Sequence, residues 1–323
     1  MITASSPTQR AEALAAAGRA GEGVALLTQA GARGDKDALF TLAIWRLTGQ
    51  FMPRDLARSR DLFRRAAEAG SSDAGAVYTA FLANGTGGLA DWRQALAWLE
   101  RRASHDDGAR AQLALLGAMA LTPDGGPVRL PQGEQLSAAP RVMLVPALFT
   151  PAECTWLADL AAPMLEPSVV IDPRTGRQIR DPVRTSDVAA FPLAIENPAV
   201  RALNRRLAAA TGTDVRQGEP LQILRYRPGQ EYKPHSDALP GTDNQRIITA
   251  LVYLNEGYEG GETRFVADDL AIRGRTGDAL IFRNVTDTGE PDAAARHAGL
   301  PVRRGTKLIA SRWIRARPLD LTR

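Results

Sequence analysis

The stretch LQILRYRPGQEYKPHSD, residues 221–237, runs from an apolar segment through a Pro-Gly turn into a His-x-Asp tripeptide. A short apolar run closed by a turn and followed by a second extended segment reads as two strands of an all-β layer. On an extended segment residues i and i+2 face the same side, so His235 and Asp237 can both look into a barrel while Ser236 looks away. By itself the tripeptide is weak evidence, because aspartate is common enough to fall two places after one of three histidines by chance. It needs a third ligand and a fold that supplies one.

The residues that follow supply the fold. RIITALVYL, GETRFV, DALIF and TKLIASRWI are short β-like runs, separated by turns such as EGYEGG and GRTGD. Many short strands with Gly-rich turns argue for a sandwich or jelly roll. Two helices precede them, CTWLADLAAPML and NPAVRALNRRLAAATG, the second with Asn197 as N-cap and Pro198 at its first position.

Upstream the texture is helical. DKDALFTLAIWRLTG sets Ala38, Leu42, Ile44 and Trp45 in an apolar band, and RDLARSRDLFRRAAEAG does the same with Leu56, Leu62, Phe63 and Ala67, stopping at Gly70. The pattern returns in SDAGAVYTAFLANG and DWRQALAWLERRA, with Ala74 answering Ala38 at a period of about 36 residues, and a third copy from Asp106 breaks off at Leu121. One such helix pair cannot bury its apolar face alone, so recurrence at this spacing marks a solenoid. The copies resemble Sel1-like repeats, relatives of the tetratricopeptide family, which implies a protein-binding surface. His105, in the loop after the second copy, reads as an ordinary exposed histidine. The expected organisation is α+β in two domains: a helical repeat solenoid over 1–121, a Pro/Gly-rich linker over 122–140, and a sandwich or jelly roll with flanking helices over 141–323.

Composition narrows the class. The chain has 323 residues, 44% of them hydrophobic, a net charge of +4 and one cysteine, Cys154. No Lys/Arg run suggests a nucleic-acid partner, and no long apolar run suggests a membrane. The amino terminus lacks a signal-peptide core, and a lone cysteine fits a reducing compartment, so the expected location is cytoplasmic.

Only one other histidine, His297, lies in the β-rich part. Two histidines and a carboxylate make the facial triad of non-haem Fe(II) oxygenases, which leaves positions open for co-substrate and O₂. Zinc hydrolases use similar ligands, but their HExxH helix is absent here. On a strand, Lys307, Ile309, Ser311 and Trp313 share one face, and a cation among apolar neighbours calls for an anion. The distal carboxylate of 2-oxoglutarate is a fitting one.

At this point LQILRYRPGQEYKPHSD, RIITALVYLNEGYEGGETRF, GDALIFRN and HAGLPVRRGTKLIASRWIR together resemble the catalytic domain of the prolyl 4-hydroxylase family of Fe(II)/2-oxoglutarate dioxygenases, densely over 221–315 and more weakly back to about 141. The resemblance implies that His235, Asp237 and His297 hold iron and that Lys307 binds the 2-oxoglutarate C5 carboxylate, with Tyr226 in the same pocket and Thr249 as a second contact. It implies a double-stranded β-helix (jelly roll) over 141–323, Fe(II), 2-oxoglutarate, O₂ and L-ascorbate as cofactors, and hydroxylation of an unactivated C–H bond, on a peptidyl proline, with release of succinate and CO₂. VRTSDVAAF, residues 183–191, resembles the family's arginine-bearing segment, so Arg184, together with Tyr232 and Trp313, is expected near the substrate. A protein or peptide is the expected partner, recruited by the repeats.

Two other readings compete. An oxygenase of the same scaffold could act on a free small molecule or another side chain. The base dealkylases are disfavoured, since they carry an arginine pair six apart after the distal histidine, where this chain has Lys307 and Arg312. A repeat-dominated interaction module with vestigial catalysis has no need of three ligands and the lysine.

Overall fold

The computed structural model describes residues 5–171 and 177–319. Contacts divide the chain into two units. One runs to Gly125 and takes in Leu193–Arg201; the other comprises Gly126–Pro192 and, among the described residues, 202–319.

The first unit is built from α1 (Pro7–Ala16), α2 (Ala20–Ala32), α3 (Lys36–Thr48), α4 (Leu56–Glu68), α5 (Ser72–Asn84), α6 (Trp92–Ala103) and α7 (Asp107–Ala118). The sequence repeat reappears in the capping chemistry. Asp55 and Asp91, which open α4 and α6, accept from the backbone N–H of Arg58 and Gln94, satisfying donors that a helix start leaves unpaired. Gly49 and Gly85, which close α3 and α5, sit at φ 74° and 82°, a left-handed conformation that a side chain disfavours. Phe63 of α4 meets Phe40 of α3 and Phe81 of α5 edge-on, with ring centroids 5.6 Å apart in both pairs, so each repeat buries its apolar face on the next.

The second unit contains β1 (Glu134–Ala138), β2 (Arg141–Val145), α8 (Pro151–Ala161), β3 (Glu166–Pro167), β4 (Val169–Ile171), β5 (Gln178–Arg180) and β6 (Asp187–Phe191). After α9 (Pro198–Thr211), which begins at the boundary with the first unit, come β7 (Leu221–Tyr226), β8 (Tyr232–His235), β9 (Arg246–Tyr253), β10 (Glu259–Gly260) and β11 (Thr263–Phe265). The chain ends with β12 (Ala271–Ile272), β13 (Ala279–Arg283), β14 (His297–Gly299), β15 (Val302–Arg304) and β16 (Lys307–Arg315).

A large sheet runs β1-β2-β13-β9-β16-β7-β6-β3 and a smaller one β12-β11-β14-β8, with antiparallel pairing throughout. From β7 onward the chain alternates between them: β7, β9, β13 and β16 join the large sheet, and β8, β11 and β14 the small one. This is the double-stranded β-helix that the resemblance implies. Leu224, Leu251 and Phe282 of the large sheet bury against Phe265 and Ile272 of the small one, with the Phe265 and Phe282 rings perpendicular at 5.1 Å.

Two local devices fix the frame. Thr150 and Glu153 form a capping box at the start of α8, and the buried Glu153 carboxylate also receives both guanidinium nitrogens of Arg206 at 2.6 and 2.9 Å. Gly277 stands at φ 90° where a Cβ would lie 2.0 Å from the Phe149 carbonyl oxygen, so no side chain fits that turn.

One expectation needs correction. The stretch read as a linker, 122–140, contains β1, which pairs with β2 at the edge of the large sheet. Most of its side chains are exposed or half-buried, so the strand carries no apolar alternation for a sequence reading to detect. Among the described residues no helix is long and apolar enough to cross a membrane.

Candidate metal centre

β8 ends on His235 and β14 begins on His297, and the two residues lie directly opposite one another in the antiparallel register. Asp237, two residues past the end of β8, completes the group. Its Oδ1 is 3.6 Å from His235 Nε2 and its Oδ2 is 3.7 Å from His297 Nε2. One ligand atom from each residue lies within 4.8 Å of the other two. These separations are too long for hydrogen bonds, yet bonds of about 2.1 Å to one shared ion can bridge them.

The ring orientations fit the same purpose. His235 Nδ1 is 2.8 Å from the Lys233 carbonyl oxygen and His297 Nδ1 is 3.0 Å from that of Ala295. A carbonyl only accepts, so each Nδ1 carries the proton and donates it, which in the neutral ring leaves the Nε2 lone pair facing Asp237. Burial pushes the His297 pKa down, with His235 adding to it, so the ring stays neutral although Asp237 opposes the shift. Burial disfavours the charge on Asp237, but His235, His297 and the Thr249 hydroxyl more than offset it and hold the carboxyl well below the usual carboxylate range. The donor set is therefore two imidazole Nε2 atoms, each with its ring's Nδ1 committed to a carbonyl, and one carboxylate, the set that suits a divalent iron ion.

Around the triad the walls are aromatic. Tyr232 stacks on His235 with centroids 3.4 Å apart and planes 12° from parallel, and Phe282 packs against His297 at 4.6 Å. The triad opens into a pocket whose wall includes Lys307, Ile309, Ser311 and Trp313, the β16 face expected from strand parity. Lys307 is 2% exposed, and its ammonium donates to the Gly261 carbonyl oxygen at 2.6 Å. Among the described residues no carboxylate lies within ion-pair distance of it. Burial, with Arg273 adding and Glu262 opposing, pushes its pKa down to about 8. A buried ammonium held by one neutral acceptor suits an anionic partner.

The other expected site residues fall into three groups. Tyr226 lines the pocket beside Lys307, its phenol pushed up by burial. Arg184 bridges to Tyr232, its guanidinium 5.7 Å from that ring centroid, while Trp313 lines the pocket with a buried indole N–H that has no partner among the described residues. Thr249 stands apart. Its hydroxyl donates to Asp237 Oδ2 at 2.6 Å and accepts from Asn284 Nδ2 at 2.9 Å, which commits it to the carboxylate ligand and away from Lys307. The threonine that lines the pocket is Thr263 of β11, 2% exposed and missed in the sequence reading. Thr263 and Phe265 share a face of β11, and it is the pairing of Phe265 with His297 that turns this face to the site, which chain order does not carry. Arg246, whose guanidinium lies 4.1 Å over the Trp313 ring while bonded to Glu219, was also missed. Arg312 points to the opposite side of β16 from Lys307 and donates to the carbonyl oxygens of Asn204, Val215 and Glu219.

Residues 221–315 match the 2OG-Fe(II) oxygenase superfamily. Prolyl 4-hydroxylase 1 of Arabidopsis thaliana is 33% identical over 202 residues, 56% of this chain and 71% of that protein. The viral collagen prolyl hydroxylase from Paramecium Bursaria Chlorella virus-1, solved as a 2OG complex, is 26% identical and covers 55% of this chain and 96% of its own, with a TM-score of 0.44. A Sel1 repeat protein from Oxalobacter formigenes covers 30% of this chain and 40% of its own at 24% identity, with a TM-score of 0.28.

Proposed function

Because the chain belongs to the prolyl 4-hydroxylase family of Fe(II)- and 2-oxoglutarate-dependent dioxygenases, we propose that it hydroxylates a peptidyl proline, releasing succinate and CO₂. The observation that carries this reading is the convergence of two imidazoles and a carboxylate in the same pocket as a buried lysine ammonium.

In this reading His235 and His297 supply their Nε2 atoms and Asp237 a carboxylate oxygen to iron. Iron held there supplies the redox chemistry that couples decarboxylation of 2-oxoglutarate by O₂ to C–H hydroxylation. Lys307 binds the distal carboxylate of 2-oxoglutarate, and Tyr226 and Thr263 close that end of the pocket. Thr249 orients Asp237 through its hydroxyl. Tyr232 holds the His235 ring by stacking, and Arg184 and Trp313 border the substrate. L-ascorbate serves as accessory reductant. The chain from 141 onward, with β1, carries the chemistry, and the Sel1-like repeats of 1–121 bind protein. The lone buried Cys154 fits a cytoplasmic setting.

The test is incubation with Fe(II), 2-oxoglutarate, ascorbate and a mixture of proline-containing peptides, read by mass spectrometry. Gain of one oxygen atom on proline, matched by succinate and abolished by Asp237→Ala, is expected. Oxygen gained on a different side chain, or only on free small molecules in a parallel extract assay, contradicts the proline reading.

A further inference from the structure

We infer that the groove between α2 and α4, floored by α3, is a docking site for an acidic peptide segment that carries an apolar anchor side chain. Its floor is apolar and its rim is cationic. Leu39 and Leu42 of α3 and Leu62 of α4 face the hollow, and Arg46, Arg58 and Arg65 line it, with no acidic side chain among the lining residues. On α4 the contributing positions are i, i+4 and i+7, and on α3 they are i, i+3 and i+7, so each helix offers one continuous stripe. The space over the groove, open solvent included, amounts to about 790 Å³. It is kept open by Gly31 on α2, where a Cβ would lie 2.9 Å from Leu39 Cδ2 and push that side chain out of place.

Charge decides the occupant. Among the described residues neither Arg46 nor Arg65 has a carboxylate at ion-pair distance. Arg46 spends one N–H on the Pro53 carbonyl oxygen. Arg58 has only Asp61 at 3.7 Å, and that carboxylate is held more closely by Arg64 at 2.7 Å. Three guanidiniums on one rim with this little internal compensation attract carboxylates. The apolar lining, where half-buried Val24 and Met52 stand beside the nearly buried leucines, favours a peptide over a nucleic-acid strand, since a phosphodiester backbone has nothing to bury there. Helices of 13 residues run about 20 Å, a distance that about six residues of extended peptide span. This inference rests on the reading of the repeats as a protein-binding unit, whose occupant it names, and is independent of the oxygenase reading, because none of these residues belongs to the pocket of the metal centre.

The test is selection of a random dodecapeptide phage library against the full chain and against Arg46→Glu/Arg65→Glu. An enriched peptide is then labelled with fluorescein and followed by anisotropy. Peptides retained by the wild type should be rich in Asp and Glu around one large apolar residue. Binding should weaken about tenfold in the double variant and on raising salt from about 50 to about 300 mM. Arg65→Glu alone, at a side chain with no ion pair of its own, should weaken binding with circular dichroism unchanged, which separates docking from folding. Enrichment of neutral or basic peptides, equal retention by the variant, or no enrichment on the wild type overturns the inference. So does an RNA 12-mer that binds the groove more tightly than the selected peptide and loses binding in the same variants.

Discussion

Lys307 lies directly opposite Tyr226 in the register of β16 and β7, with its ammonium 5.5 Å from the Tyr226 ring centroid and 5.8 Å from that of Tyr253. Two aromatic faces and the Gly261 carbonyl thus hold a cation inside the sheet sandwich. That arrangement is costly unless an anion completes it.

Lys307→Ala should therefore raise the KM for 2-oxoglutarate by about 30-fold or more, the loss of a buried charged hydrogen bond of about 2–5 kcal/mol. Iron affinity should change little. Lys307→Arg should rescue in part, because a planar fork does not fit where a compact ammonium sits. A KM within about twofold of wild type would show that another group binds the carboxylate. Arg312 is a poor substitute, since its guanidinium is committed on the opposite side of the strand.

The same lysine sets a pH dependence. Its folded pKa, about 8, lies below the 10.5 of a free lysine. The ammonium is present below pH 8, so 2-oxoglutarate affinity should be greatest there and fall as pH rises through that value. Stability runs the other way. Between about pH 8 and 10.5 the unfolded chain holds a proton that the folded chain has lost, so stability without co-substrate should rise across that window. Urea unfolding of wild type and Lys307→Met at pH 7.5 and 10 checks this: the advantage of the methionine variant should shrink at the higher pH.

Thr249 and Thr263 should separate cleanly. Thr249→Val removes the 2.6 Å hydrogen bond to Asp237 and should weaken Fe(II) binding about tenfold, leaving the KM for 2-oxoglutarate nearly unchanged. Thr263→Val should do the reverse. Metal titration beside co-substrate kinetics reads both, and the opposite pattern would restore Thr249 to the co-substrate pocket.

Arg206→Ala leaves the Glu153 carboxylate buried without its bidentate partner and should cost about 3–5 kcal/mol in denaturant unfolding. Replacing both residues with apolar ones of similar size should recover most of that loss. A single-variant cost below about 1 kcal/mol would mean that water reaches the carboxylate.

The lysine face was legible because Lys307 to Trp313 alternate along one strand, so parity set their direction. The triad was legible by residue type, as a His-x-Asp tripeptide and the one other histidine of the β-rich part, whereas Asp237 lies past the end of β8 and takes its direction from the bend there. The helical repeats were legible because both apolar bands and caps recur. Three features were hidden. β1 is an edge strand with little buried surface, so it leaves no apolar pattern. The choice between Thr249 and Thr263 depended on which strand lies beside Lys307 in space, and chain order does not carry that information. Arg246 of β9 lies directly over Trp313 of β16 while Glu219 holds its guanidinium, an arrangement visible only once the strands are paired.

The central claim is that His235, Asp237 and His297 bind one iron ion together with 2-oxoglutarate. Anaerobic addition of Fe(II) and 2-oxoglutarate to the full chain tests it most directly, by the weak visible charge-transfer band of the chelated metal. The wild type should develop the band, and His235→Ala, Asp237→Ala and His297→Ala should each lack it while remaining folded by circular dichroism. A band unchanged in all three variants would contradict the assignment.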